Sequence, residues 1–196
     1  MLDLARQAQP NALAVAIELM LATGMRRGEI CALRWGDFDE ERRKLTVSHA
    51  LGNGEDGFYL KEPKAGEART LPLMARTYHL LKDMKDDVRW MCGKLKVKPA
   101  NAYILGTLES ESRPYNPTQL GKDFAAFCKM NGFDCTLHDL RHTFATFMIA
   151  EGADVRTVSG YLGHANPSMT LDIYADVDPE AKERAVRYIE GAFDDA

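Results

Sequence analysis

The apolar positions of this chain change period twice. After Pro10, the residues Ala14, Ile17 and Leu21 recur at helical spacing behind Asn11, which can cap the first turn. The pattern predicts a helix ending near Thr23-Gly24 and a second short one through Glu29-Ile30-Cys31-Ala32-Leu33. From Lys44 the spacing shortens to alternation: Leu45 and Val47, Phe58 and Leu60, then Thr70-Leu71-Pro72-Leu73. Gly52-Asn53-Gly54 and Lys64-Ala65-Gly66 separate these runs, so a small antiparallel sheet with two hairpin turns is expected. Helical spacing resumes over 75–92, 116–131 and 137–150, with short helices after Asp154 and over 169–174. A last helix is expected from Pro179, capped by Asp178, with Ala181, Ala185, Ile189 and Phe193 as its apolar stripe. Residues 94–101 form a polar break read as an exposed loop. The expected class is α+β, mainly α-helical, with a small antiparallel sheet in the N-terminal half.

Composition narrows this picture. A chain of 196 residues with 45% hydrophobic and 28% charged positions suits one globular domain with a buried core. No window approaches the roughly 18 uninterrupted apolar residues of a spanning helix, and no signal peptide is readable at Met1-Leu-Asp-Leu-Ala-Arg-Gln. Cys31, Cys92, Cys128 and Cys135 form no CxxC pair, so reduced thiols in the cytoplasm are the simplest expectation. The formal net charge of -4 argues at first against a nucleic-acid partner. Its distribution weakens that objection, because residues 151–196 hold 10 acidic and 4 basic side chains and so carry -6, leaving +2 on residues 1–150.

Four segments can carry chemistry. In Thr23-Gly24-Met25-Arg26-Arg27-Gly28-Glu29 one helix stops and another starts, so an arginine there can project off the packed surface or simply be solvated. Lys64 is read at a hairpin tip before Arg69-Thr70-Leu71-Pro72, where its ammonium could serve a leaving group or rest in water. His138-Asp139-Leu140-Arg141-His142 puts His138, Arg141 and His142 on neighbouring parts of one helix face. Leu137, Leu140, Phe144, Phe147 and Met148 are expected to anchor that helix, with His138 and Arg141 at the margin of the stripe. His138 and His142 also have the spacing of a zinc helix, but Asp139 is shorter than the usual glutamate and Arg141 is unfavourable beside a divalent cation. The fourth segment runs from Leu162-Gly163-His164 to Tyr174, which on its own reads equally as a packed aromatic. Arginines, a lysine, histidines and a tyrosine without a carboxylate cluster form a cage for an anion, and phosphate oxygens suit arginine's planar fork.

In order, spacing and type, Thr23-Gly24-x-Arg26-x-x-Glu29, Lys64 before Arg69-Thr70-Leu71-Pro72, His138-x-x-Arg141-His142-Thr143, Leu162-Gly163-His164 and Tyr174 resemble the catalytic domain of the phage-integrase, or tyrosine-recombinase, family. The resemblance covers nearly the whole chain. It implies that Arg26 and Arg141 clamp a scissile phosphate, that Lys64 is the general acid for the departing 5′ hydroxyl, and that His138 assists proton transfer. It further implies that His164 bonds a non-bridging oxygen, that Tyr174 is the nucleophile forming a 3′-phosphotyrosyl link, and that Glu29 supports the site. No cofactor and no metal are expected, and the implied partner is double-stranded DNA carrying a recombination site, with tetramer assembly in the full-length protein.

The expected organisation is a catalytic domain over 1–177 and a helix or tail over 178–196 that docks in cis or on a neighbouring protomer. The helical core-binding domain that precedes this domain in the family is not read in this chain. The hairpin region from Gly52 to Lys64 favours a mobile-element integrase over a chromosome-dimer resolvase. A catalytically silent DNA-binding module of the same fold is the alternative; a type IB topoisomerase shares the tyrosine chemistry.

Overall fold

The structure is a computed structural model that describes residues 1–7, 11–54, 57–61, 68–95, 98–108, 112–164 and 170. Its centre is α2 (Asn11–Thr23), which packs against α1 (Leu2–Gln7), α3 (Arg27–Ala32), α4 (Ala75–Leu95), α5 (Pro117–Asn131) and α6 (Leu137–Ala150). A helix touched from so many sides must be apolar nearly all round. Leu13, Ile17, Leu19 and Met20 are accordingly buried, whereas Ala14 and Leu21, expected on the core stripe, are only half-buried. Each buried aliphatic of this kind contributes roughly 1.5–3 kcal/mol of transfer free energy.

One polar group sits inside this centre. Glu18 is 3% exposed on α2, and its carboxylate accepts from Thr77 Oγ1 at 3.1 Å while Arg6 Nη2 and Arg76 Nε lie at 3.4 and 3.3 Å. A buried carboxylate is tolerated when it is paired in this way. The result ties α1 and α4 to α2.

The expected antiparallel sheet is present as β1 (Phe38–Asp39), β2 (Lys44–Val47) and β5 (Arg69–Pro72), in the order β1-β2-β5, with Leu45 opposite both Phe38 and Leu71. Beside it, β3 (Ala50–Gly54) and β4 (Gly57–Lys61) form a separate hairpin on α3. Gly52-Asn53-Gly54, expected as the turn, belongs to β3, where Gly52 pairs with Tyr59 and Gly54 with Gly57. The glycine at 52 answers a contact instead of a turn, since a Cβ there would stand 3.0 Å from Tyr59 Cζ. A third pair, β6 (Gly106–Leu108) with β7 (Ser112–Pro114), follows α4 and had no counterpart in the apolar pattern. The turn expected at Lys64-Ala65-Gly66, the short helix over 169–174 apart from Thr170, and the helix from Pro179 lie outside the described residues.

Local chemistry sets the boundaries of the later helices. Asn116 caps α5 by accepting from the backbone N–H of Thr118 and Gln119 at 2.8 and 3.0 Å, Pro117 opens it, and Gly132 closes it at φ 71°. Thr136 and Asp139 exchange hydrogen bonds across the first turn of α6. Asp154 caps α7 (Val155–Leu162), which ends at Gly163 with φ 61°. Among the described residues no helix is long and apolar enough to cross a membrane.

Replacing Glu18 by alanine removes the carboxylate that the buried Thr77 hydroxyl, Arg6 and Arg76 share. The substitution is expected to lower unfolding free energy by about 1–3 kcal/mol, read as a reduced urea midpoint with an unchanged slope.

Candidate active site

The site forms where three chain breaks meet the end of α7. Thr23 stops α2 by turning its hydroxyl back onto the Leu19 carbonyl and accepting from the Met25 N–H at 3.3 Å. Gly24 then takes φ +64°, with Phe144 and Leu162 so close that a Cβ would meet Phe144 Cδ1 at 2.5 Å. That turn delivers Arg26 to the cap of α3. Its backbone N–H donates to Glu29 Oε2 at 2.7 Å, and its side chain, 45% exposed, reaches Glu29 Oε1 and the Gly163 carbonyl, both at 3.2 Å.

Arg141 approaches from α6 and is 4% exposed. One arm donates to the Gly24 carbonyl at 2.6 Å and the other to the Leu162 carbonyl at 2.7 Å. The α6 stripe is therefore rotated from the expected one: Arg141 lies inside, while Phe147, expected in the core, is 65% exposed. Burial, with Arg26 beside it, pulls the Arg141 guanidinium down to about 9, which still leaves it cationic at neutral pH.

Arg69 completes the cluster from β5. It forks onto Glu29 with contacts of 3.0 and 2.7 Å and donates through Nε to the Tyr161 carbonyl at 2.8 Å. Burial alone would raise the Glu29 carboxyl, but the hydrogen bonds and charge of Arg69, with help from Arg26, hold it below its usual value. Glu29 is thus an anion shared by two guanidinium groups. The sequence boxes contain Arg69 but assign it no part in the site. Its partner lies 40 residues earlier, a spacing that no local period reveals.

His164 follows the left-handed Gly163, and its Nδ1 lies 2.9 Å from Thr170 Oγ1. Burial, then the nearby charges of Arg141, Arg26 and Arg69, depresses the imidazole to about 4, so the ring is neutral at neutral pH. His138 stands at the exposed start of α6, edge to face with His142 at 4.7 Å, and is lowered by burial, His142 and Arg141. Asp139 does not complete a zinc helix with this pair, because its carboxylate is turned back onto the Thr136 N–H and hydroxyl at 2.7 and 2.8 Å. Among the described residues no group of three or more histidine, cysteine or acidic side chains is placed to hold a metal ion.

The structure therefore brings Arg26, Glu29, Arg141 and His164 together and sets His138 within reach of their charge. Lys64 and Tyr174 lie outside the described residues. Arg26, His138 and Arg141 face a cavity of about 550 Å³ between the α2–α3 turn and the α5–α6 turn.

A family model described as Phage integrase family matches residues 1–181. A relative named tyrosine recombinase XerC-like, from Caldanaerobacter subterraneus subsp. tengcongensis, is 29% identical over 195 residues, which cover 89% of this chain and 48% of that protein. The Tn1549 transposon integrase, solved in complex with a circular intermediate DNA, superposes with a TM-score of 0.73 at 25% identity, covering 93% of this chain and 62% of that one. The catalytic domain of bacteriophage HP1 integrase superposes with a TM-score of 0.58 at 20% identity, covering 95% of this chain and 88% of that domain. The architecture is thus that of tyrosine-recombinase catalytic domains, and the chain spans about half the length of the curated relatives it matches.

The depressed histidines give a pH dependence of definite sign. A ring that is harder to protonate when folded binds fewer protons than in the unfolded chain, so stability is full above about pH 6.5 and falls as pH drops toward 4. In an NMR titration the His164 ring is expected to change protonation near 4 and the His138 ring below 6.5. A His164 midpoint at 6.5 or above would show that neither burial nor the arginine charges act on the ring as described.

Proposed function

The chain belongs to the phage integrase family, and from that premise we propose that it is the catalytic domain of a site-specific tyrosine recombinase that cuts and rejoins DNA strands. The observation that carries this reading is the convergence of Arg26 and Arg141 on one point, each donating to the Leu162 carbonyl. Guanidinium groups fixed at that spacing, with a neutral histidine beside them, suit the non-bridging oxygens of a phosphodiester, where charge develops during transfer.

In the proposed reaction the Tyr174 phenolic oxygen attacks the scissile phosphorus, forming a 3′-phosphotyrosyl bond as the phosphorus–O5′ bond breaks. Lys64 gives its proton to the departing 5′ oxygen. His138 takes the proton from the phenol, whose unperturbed pKa of about 10 calls for such help. The neutral His164 keeps Nδ1 on Thr170 and offers Nε2–H to a non-bridging oxygen, while Arg26 and Arg141 neutralise the developing charge. Glu29 and Arg69 hold Arg26 in place. The incoming 5′ hydroxyl of a partner strand reverses the first step, releases the tyrosine and restores the phosphodiester without an external energy source or metal ion.

The substrate in this reading is duplex DNA bearing a recombination site, and the Tn1549 neighbour supports a mobile element as its context. Residues 1–177 would form the catalytic unit and 178–196 a tail that docks in cis or on a neighbouring protomer. A tetramer of the longer protein would then assemble on two sites in the cytoplasm.

A pool of nicked duplexes is expected to yield a covalent protein–DNA adduct on a denaturing gel, unaffected by EDTA. Tyr174→Phe should abolish it and Arg141→Ala should slow its formation by about 10²–10³. An adduct that survives Tyr174→Phe or needs Mg²⁺ would overturn the chemistry, and DNA binding without any adduct would mark a catalytically silent module.

A further inference from the structure

We propose that Cys128 and Cys135 form a redox-active dithiol in the wall of the arginine-lined cavity, closed to a disulfide by a low-molecular-weight disulfide such as oxidised glutathione. The two sulfurs lie 3.8 Å apart, Cys128 on the last turns of α5 and Cys135 immediately before the Thr136 cap of α6. A disulfide needs about 2.05 Å. The segment that must move is short and held by a left-handed glycine, Gly132, whose Cβ position meets nothing within 4 Å.

The two thiols are placed for different steps. Cys135 is partly exposed and lines the same cavity of about 550 Å³ as Arg26, Arg27, His138 and Arg141. That cationic lining favours the approach of a small disulfide bearing carboxylates. Cys128 is 4% exposed, and burial together with the neighbouring Cys135 pushes its thiol up to about 11. Cys135 is therefore the point of attack, and Cys128 waits in contact behind it.

The Cys135 sulfur, as thiolate, attacks one sulfur of the small disulfide, forming a mixed disulfide and expelling one small thiolate. Cys128 then gives up its proton and attacks the Cys135 sulfur, forming the protein disulfide and expelling the second small thiolate. Two protein thiols are oxidised by two electrons, and the small disulfide is reduced to two thiols. Closure ties the end of α5 to the start of the helix that carries His138 and Arg141. Misplacing such groups by an ångström or so is enough to slow a reaction severely. This last consequence rests on the recombinase reading, whereas the dithiol itself does not.

Lys129 lies between the cysteines, so trypsin separates residues 123–129 from 130–141. After exposure to oxidised glutathione without DNA, the two peptides are expected to remain joined under non-reducing conditions and to part on adding dithiothreitol. Cys135→Ser should abolish the link, and Cys128→Ser should leave Cys135 carrying glutathione. Free alkylation of both cysteines after oxidation, or a link from Cys135 to Cys31 or Cys92, would overturn the proposal; the wild-type peptide map decides this even if a variant fails to fold. With nicked duplexes, the oxidised protein should form the adduct on the order of tenfold more slowly, with dithiothreitol restoring the rate. A missing cross-link refutes the dithiol and leaves the recombinase reading standing, while a cross-link in a protein that never forms an adduct does the reverse.

Discussion

Three successive carbonyls at the end of α7 hold the arginine cluster of this molecule together. Arg69 takes that of Tyr161, Arg141 that of Leu162 and Arg26 that of Gly163, each arginine coming from a different part of the chain. These are the carbonyls that a helix end leaves without intrahelical partners and that carry its negative partial charge. Hydrogen bonds to charged groups are worth roughly 1.5–3 kcal/mol each, enough to outweigh the repulsion among the cations only because Glu29 lies between two of them. Remove the carbonyls and Glu29 still pairs Arg26 with Arg69, but Arg141 loses the acceptor it shares with Arg26.

The packing beneath follows from the same constraint. Gly24 offers its own carbonyl to Arg141 and must pass Phe144 and Leu162 with no side chain, so the end of α2 and the end of α7 are drawn together over α6. On the far side, Gly163 carries Arg69 so closely that a Cβ would stand 2.7 Å from its Nη1. Glycine is required at both points by positive φ as well as by the arginine chemistry.

The parts of this arrangement that were legible in the sequence are those written in short spacing. Arg26 and Glu29 sit three apart across a helix start, His138 and Arg141 three apart on one helix, and Gly163-His164 directly at a helix end. What was not legible depends on partners distant in sequence. Arg69 acts through Glu29, 40 residues away. The burial of Arg141 is decided by carbonyls at residues 24 and 162 and not by the apolar rhythm of α6, which would have put Phe147 inside instead. Gly52 and Gly54 announce a turn but serve a strand, because composition does not distinguish a glycine that bends the chain from one that makes room for a tyrosine ring.

Main-chain acceptors have a property that side-chain acceptors lack: no codon change deletes them. The anchor for the three arginines is built from the backbone of residues 161–163, so drift at 161 and 162 can alter side-chain chemistry and still leave the same oxygens in the same places, provided the helix ends at Gly163 as it does. The vulnerability passes instead to the partners, the three arginines, the lone carboxylate of Glu29 and the two glycines. A site organised this way can change its surroundings while the charge arrangement at its centre stays put.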